Sequence, residues 1–278
     1  MLGVPLSILA TFFEEISSSI GKAAVQLRQE SVYAMGFLDM SWGAVFFLIL
    51  AIFFPHGPLI ITQWPTFLLR TVCEIIQAYF VLEAIAKTDR SSFGFVRVGT
   101  IPILLIIDTL LGYSIAPVQM IGMGVICASL LFLFMNHGIN KRGLGYLILA
   151  TLGAAVTITL YKYDISHGNS LELEQFLVSL VLVIFFYGMS RFREHERPFH
   201  LFLKPRFSFQ AATMGIGNIL VRFAYFFAPA SIITAATRSS TIVWTIVSGR
   251  AYFHERHIAI KIFGVIGCVI GIILLSIK

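Results

Sequence analysis

Apolar residues run along this chain in ten blocks of about twenty, separated by short clusters of charge, glycine and proline. The blocks cover residues 3–25, 32–54, 63–86, 91–112, 117–135, 143–162, 172–190, 207–227, 230–252 and 257–277. A hydrocarbon core of about 30 Å needs about 20 apolar residues at a helical rise of about 1.5 Å, so each block predicts one transmembrane helix. Two connections, Gly112 to Pro117 and Ala228-Pro229-Ala230, are so short that the helices they join must be antiparallel neighbours. The expected fold is an all-α polytopic membrane protein.

The two halves of the pattern repeat. Ile8-Leu9-Ala10-Thr11 returns as Ile148-Leu149-Ala150-Thr151, and the same offset of 140 residues takes Lys22 onto Lys162. An offset of 141 takes Arg97 and Thr100 onto Arg238 and Thr241, and Cys127 onto Cys268. Ala78-Tyr79-Phe80 matches Ala224-Tyr225-Phe226 at 146, where the second half has a longer loop between its second and third blocks and a shorter turn after the third. The expected units are residues 1–138 and 139–278, five helices each. Five is odd, so the halves enter the membrane from opposite sides as an inverted repeat, an arrangement that lets one half rock against the other around a midplane site.

Composition excludes a soluble domain: 58% of the 278 residues are hydrophobic, 12% are charged, and the mean hydropathy is +0.88. The formal charge of +6 sits in connecting loops, where it signals topology, and nucleic acid is not an expected partner. Arg28, Lys87, Arg90, Lys141, Arg142, Arg191, Arg193, Arg197, Lys204, Arg206, Arg256 and Lys261 flank the odd-numbered blocks on one side. Lys162, Lys278 and the acids Asp164, Glu172 and Glu174 lie on the other. Charge counting puts the odd-block loops in the cytoplasm and both termini outside. Cys73, Cys127 and Cys268 fall within apolar blocks and read as small core residues. Glu14 and Glu15 interrupt the stretch that a cleaved leader would need to be apolar, so the first block is expected to remain as a span.

An ionised side chain in mid-span needs a partner, a wet cavity or a route to the interface. Glu14, Glu15, Arg70, Glu74, Glu83, Arg97, Asp108, Arg222 and Arg238 are the candidates. Arg97 and Arg238 stand at matched positions, and two guanidiniums approaching one site suit a carboxylate or phosphate held by bidentate hydrogen bonds; the competing reading is snorkelling to a helix end. Glu14 and Glu15 face Ala154 and Ala155 in the repeat, and a carboxylate in a low-dielectric site is a candidate proton carrier, or else a structural partner of Arg70, Lys22 or Arg222. Arg70 and Glu74, four apart, are expected to pair along one helix face. Tyr79 and Tyr225 could stack on or hydrogen-bond a substrate, and the matched Lys22 and Lys162 are second-rank binding candidates. Gly122, Gly124, Gly264, Gly267 and Gly271 fit close helix packing. His254-Glu255-Arg256-His257 lacks the spacing of a helical zinc motif, and there is no P-loop, dinucleotide fingerprint or nucleophile elbow. No metal, cofactor or catalytic set is expected.

Three patterns give the chain a resemblance to a known family. Glu14-Glu15-Ile16-Ser17-Ser18-Ser19-Ile20-Gly21-Lys22, Thr100-Ile101-Pro102, and Phe253-His254-Glu255-Arg256-His257 with Gly264 and Gly267 are similar to the EamA-like branch of the drug/metabolite transporter superfamily. The resemblance spans essentially the whole chain. The tryptophan usual in that family's first span is absent here, and Gly112-Tyr113-Ser114 lacks the glutamate of the matching turn. It implies a secondary transporter in the inner (plasma) membrane, working by alternating access, with both termini in the cytoplasm, against the charge count. It also implies that the fourth and ninth spans line a central cavity, where sugar-phosphate carriers use basic residues. The expected partners are the lipid bilayer, a small-molecule substrate and a coupling proton. Export of an amino-acid-like or anionic metabolite is the first expectation, exchange of phosphorylated or carboxylated metabolites the second. A membrane-embedded enzyme or a lipid-handling protein is the alternative from another class.

Overall fold

A computed structural model describes residues 2–53, 57, 64–87, 96–137, 143–253, 266–267, 269–275 and 277, and all regular structure among them is helical. In chain order the helices are α1 (Gly3–Gln26), α2 (Val32–Phe53), α3 (Trp64–Lys87), α4 (Thr100–Leu110), α5 (Pro117–His137), α6 (Leu144–Ser166), α7 (Leu171–Arg193), the short α8 (Pro198–Phe202), α9 (Pro205–Phe227) and α10 (Ala230–Phe253). Residues 269–275 are also helical. The apolar blocks thus coincide with helices wherever they are described, while α8, in the charged 191–206 stretch, was not expected from the sequence.

Local chemistry sets the helix ends. The ends of α1, α4 and α6 carry paired capping bonds: Gln29 N–H to Ala24 C=O at 2.9 Å, Tyr113 N–H to Asp108 C=O at 3.0 Å, and Asn169 N–H to Asp164 C=O at 3.1 Å. This cap needs a left-handed residue, supplied by Gly112 and Gly168 and, unusually, by Arg28 at φ 54°. Ser31 and Ser170 cap α2 and α7 through bonds from Ala34 N–H and Leu173 N–H. The fourth block is broken: residues 98–99 form a turn between helical residues 96–97 and α4. Pro102 accounts for this, because its ring would collide with the Val98 carbonyl if the helix ran through.

Charged and polar side chains are buried within an apolar core, and large apolar side chains cover much of the outside. Arg70, Asp108, Glu174 and Gln210 are buried, whereas Leu68, Leu69, Val72 and Ile76 on α3 and Ile148, Leu149, Leu152 and Val156 on α6 are exposed. In water this arrangement would be inverted; hydrocarbon outside the bundle suits it. Among the described residues three helices, α2, α6 and α7, are long and apolar enough to cross a membrane, with mean hydropathies of 2.0, 1.8 and 1.8 over their most apolar stretches. On α1 and α3 inward-turned charges, among them the buried Glu15, Arg70 and Glu74, offset the apolar outer faces.

Helices of the first half pack chiefly on helices of the second. α1 lies along α9 and α3 along α6; α2 packs on α7 and α9, and α3 touches α7; α1 packs on α10, α4 on α6, and α4 on α10. Contacts along α3 and α6 run antiparallel, from Thr66 on Asp164 at 2.6 Å through Gln77 on Thr157 at 2.6 Å to Phe80 beside Tyr146. Close approach relies on small residues. A Cβ at Gly122 would lie 3.0 Å from the Gly271 carbonyl, and Gly271 and Gly267 abut Ile126 and Ser129 of α5. Gly124 has no neighbour there, and Gly264 lies outside the described residues.

A Cβ at Gly217 would lie 2.9 Å from the Ala10 carbonyl and 2.7 Å from the Glu14 side chain. Gly217→Val should therefore force α1 and α9 apart at a cost of about 1–3 kcal/mol, read as a lower melting temperature of the purified protein, while Gly124→Val should be neutral.

Candidate functional site

Arg97, just before the α4 break, and Arg238, in mid-α10, converge in the bundle interior within electrostatic range of one another, and both interact with Glu14 of α1 and Tyr225 of α9. The Arg97 carbonyl accepts the Thr100 hydroxyl at 2.7 Å, which ties the broken segment to the start of α4. Glu14, Arg97, Arg222 and Arg238 lie among the helices and are partly accessible. The Arg238 Nε is buried with no hydrogen-bond partner among the described residues. The Tyr225 hydroxyl pairs with Thr234 Oγ1 at 3.1 Å, and its ring meets that of Tyr161 edge-on at 5.7 Å.

A second layer of charge is closed by its own partners. Arg70 donates Nη1 to Glu174 and Nη2 to Glu74 at 3.2 Å, and Arg222 reaches the same Glu74 oxygen at 3.6 Å. Tyr161 fills the space between the guanidiniums, with Arg70 Cζ 4.5 Å and Arg222 Cζ 5.2 Å from its ring centre, and its hydroxyl donates to the Arg222 carbonyl at 3.0 Å. Asn169 supports Glu174 at 3.2 Å. Two arginines thus face two carboxylates in this layer. Around Arg97 and Arg238, Glu14 is an acid with which both interact, and Glu14 in turn also interacts with Arg222 and the neighbouring Glu15.

The remaining residues singled out from sequence separate. Glu15 is buried and accepts Ser19 Oγ at 3.2 Å. Tyr79 lies with Arg193, Tyr33 and Glu83 at one end of the bundle, away from Tyr225. Lys22, partly exposed, is on the half of α1 leading to that end, whereas Lys162 is buried at the other, donating Nζ to the Tyr225 carbonyl. Lys162 is therefore not snorkelling, and α6 runs past it to Ser166. Asp108 accepts Ser231 N–H at 2.7 Å and so caps α10, a structural role. Cys73 and Cys127 are free thiols, and no metal-holding cluster occurs among the described residues. The side chains of Cys268 and of the 254–257 turn lie outside the described residues.

Sequence reasoning missed Tyr161, the pairing role of Glu174, and Asp39, which accepts Ser17 Oγ at 3.2 Å. An acid inside the second block was the available signal for Asp39. Two concavities of the described surface lie elsewhere: one runs along the outer face of α7 from Ile184 to Arg193, the other lies between the α6–α7 connection and Phe223, Phe226 and Phe227. Neither contains the arginine pair.

No protein-family model and no curated protein matches this chain. Among solved structures 26 chains match. One, described only as "Crystal structure of protein", superposes with a TM-score of 0.73 at 12% identity, over 98% of this chain and 95% of that one. At that identity the likeness shows a shared fold over nearly the full length of both chains.

The ion layer makes a ranked prediction. Glu174→Ala leaves Arg70 short of a partner in a buried site and should cost about 3–5 kcal/mol, whereas Tyr161→Phe removes one hydrogen bond and should cost about 1 kcal/mol. Melting temperatures of the purified variants check the order.

Proposed function

We propose that this chain is a secondary transporter of ten transmembrane helices, built as two inverted five-helix repeats, that carries a small anionic or amino-acid-like metabolite by alternating access. Membership of the EamA-like branch of the drug/metabolite transporters, and a place in the cell's inner (plasma) membrane, are parts of the same proposal. The observation that carries it is the meeting of Arg97 and Arg238, one from each half, beside Glu14.

Several features support the repeat reading. Exchanging each helix for its counterpart (α1 with α6, α2 with α7, α3 with α9, α4 with α10) turns the α1–α9 contact into α6–α3, α1–α10 into α6–α4, and α2–α9 into α7–α3, while α2–α7 and α4–α10 map onto themselves. Matched residues near such an axis should meet and those far from it should sit at opposite ends. Arg97 and Arg238 meet, as such an axis requires, whereas Tyr225 faces that pair and Tyr79 lies with Arg193, so the tyrosines do not follow the symmetry.

The meeting of two guanidiniums points to the substrate class. A carboxylate or phosphate would take up the two guanidiniums through bidentate bonds, and the ammonium of a zwitterionic amino acid would face Glu14. When Glu14 instead carries a proton, two positive charges face the ligand, so proton and anion binding are linked. The α4 break beside Arg97 fits a site made where a helix is interrupted. Exchange of phosphorylated metabolites uses the same geometry and differs only in the anion held.

The test is thermal stability of the purified protein against glutamate, aspartate, citrate, inorganic phosphate, glucose 6-phosphate and choline, run on wild type, Arg97→Ala and Arg238→Ala. A ligand at 100 times its dissociation constant stabilises by about 2.7 kcal/mol. An anion that stabilises wild type and neither variant is the expected result; stabilisation by choline alone, or equal responses in all three proteins, contradicts the proposal.

A further inference from the structure

At the end of the bundle where α1 turns into α2, a second acidic site lies apart from the arginine pair. Glu30, in that turn, and Asp39, on α2, are both buried. The Gln210 amide of α9 joins them, donating Nε2 to Glu30 Oε1 at 3.5 Å and hydrogen-bonding Asp39, which also accepts Ser17 Oγ at 3.2 Å. Gln210 reaches this position because α1 offers no side chain at Gly21, where a Cβ would lie 2.8 Å from the amide nitrogen.

Two buried oxygens in this site, Glu30 Oε2 and Gln210 Oε1, have no donor among the described residues, and Gln210 is fully enclosed. Both ask for a hydrogen that no described residue supplies, and two buried carboxylates without a bound cation would repel. The charged groups facing Glu30 are Asp39 from α2, Glu196 from the α7–α8 connection and Arg206 from α9; those facing Asp39 are Glu30 and, from α1, Glu14. Arg206 offers little neutralisation, since its Nη1 is engaged with exposed Gln29 at 3.2 Å. Glu196 is itself held by Ser31 and Ser190, at 2.6 and 3.2 Å.

We propose that Glu30 and Asp39, with the Gln210 amide between them, form a proton-binding carboxyl pair through which Glu14 exchanges protons with solvent at the α1–α2 end of the bundle. The step is a transfer of H⁺ alone: a hydronium at the surface protonates Glu30, the proton passes to Asp39, and Asp39 delivers it to Glu14, each donor reverting to carboxylate. The link to Glu14 rests on reading that residue as the coupling group; the pair itself does not. Burial, and then the neighbouring Asp39, push the Glu30 carboxyl up to about 8, so at neutral pH it holds a proton. Its folded value lies above the unfolded one, so its contribution to stability is full below about pH 4.5 and is lost as pH rises through about 8.

The experiment is an infrared titration of the carboxyl C=O band of the purified full chain from pH 5 to 10, on wild type, Glu30→Gln, Asp39→Asn and Glu14→Gln, with melting temperature recorded at each pH. The account expects a protonated-carboxyl band with a midpoint near pH 8, lost in Glu30→Gln and moved down by about one pH unit in Asp39→Asn. It also expects a smaller downward shift in Glu14→Gln, and a melting temperature that falls with rising pH in wild type but less in Glu30→Gln. Absence of the band, or its survival in Glu30→Gln, overturns the pair; a midpoint unmoved by Glu14→Gln overturns the link to Glu14. No substrate enters this titration, so a failure of the anion panel leaves it standing.

Discussion

The arrangement of this bundle depends on one constraint: an ionised group among helices whose outer faces are apolar has no water to turn to. On insertion scales each such group costs about 2.5–3.5 kcal/mol unless it meets a partner. Arg70, among the largest fully buried side chains, meets two carboxylates, and through Glu74 it shares one with Arg222. That network ties α3 to α7 and α9, and Tyr161 adds α6 by lying between the two guanidiniums. Packing of small residues and apolar side chains then follows the register these pairs impose.

Arg97 and Arg238 lie in the same interior with Glu14 as their common acid. Pro102 contributes by interrupting the helix before α4, so the helical residues that carry Arg97 are separated from α4 by the turn at 98–99, whereas Arg238 sits on a continuous helix.

Much of this was legible in the sequence because hydrophobic runs are a one-dimensional property. The helices appear where the runs are, and the i, i+4 spacing of Arg70 and Glu74 foretold their pairing at 3.2 Å. Helix ends are less legible: the apolar block stops at Lys162, but its buried Nζ finds the Tyr225 carbonyl and the helix continues to Ser166. Partners distant in sequence left no trace. Glu174 lies 104 residues from Arg70, and Gln210 lies 180 from Glu30, so no local periodicity could join them. Glu174 read as an acid of one membrane face because its neighbours are loop-like; only the fold turns it inward.

Counterflow in proteoliposomes tests the central claim most directly. Vesicles holding wild-type protein are loaded with unlabelled glutamate or phosphate, diluted, and exposed to the same anion carrying a radiolabel. A carrier with one site that opens to either side should accumulate label transiently, with Arg238→Gln abolishing the overshoot and Asp108→Asn, at the α10 cap, retaining it. No overshoot with either anion, or an overshoot of equal size in Arg238→Gln, would contradict an anion carrier built around the arginine pair.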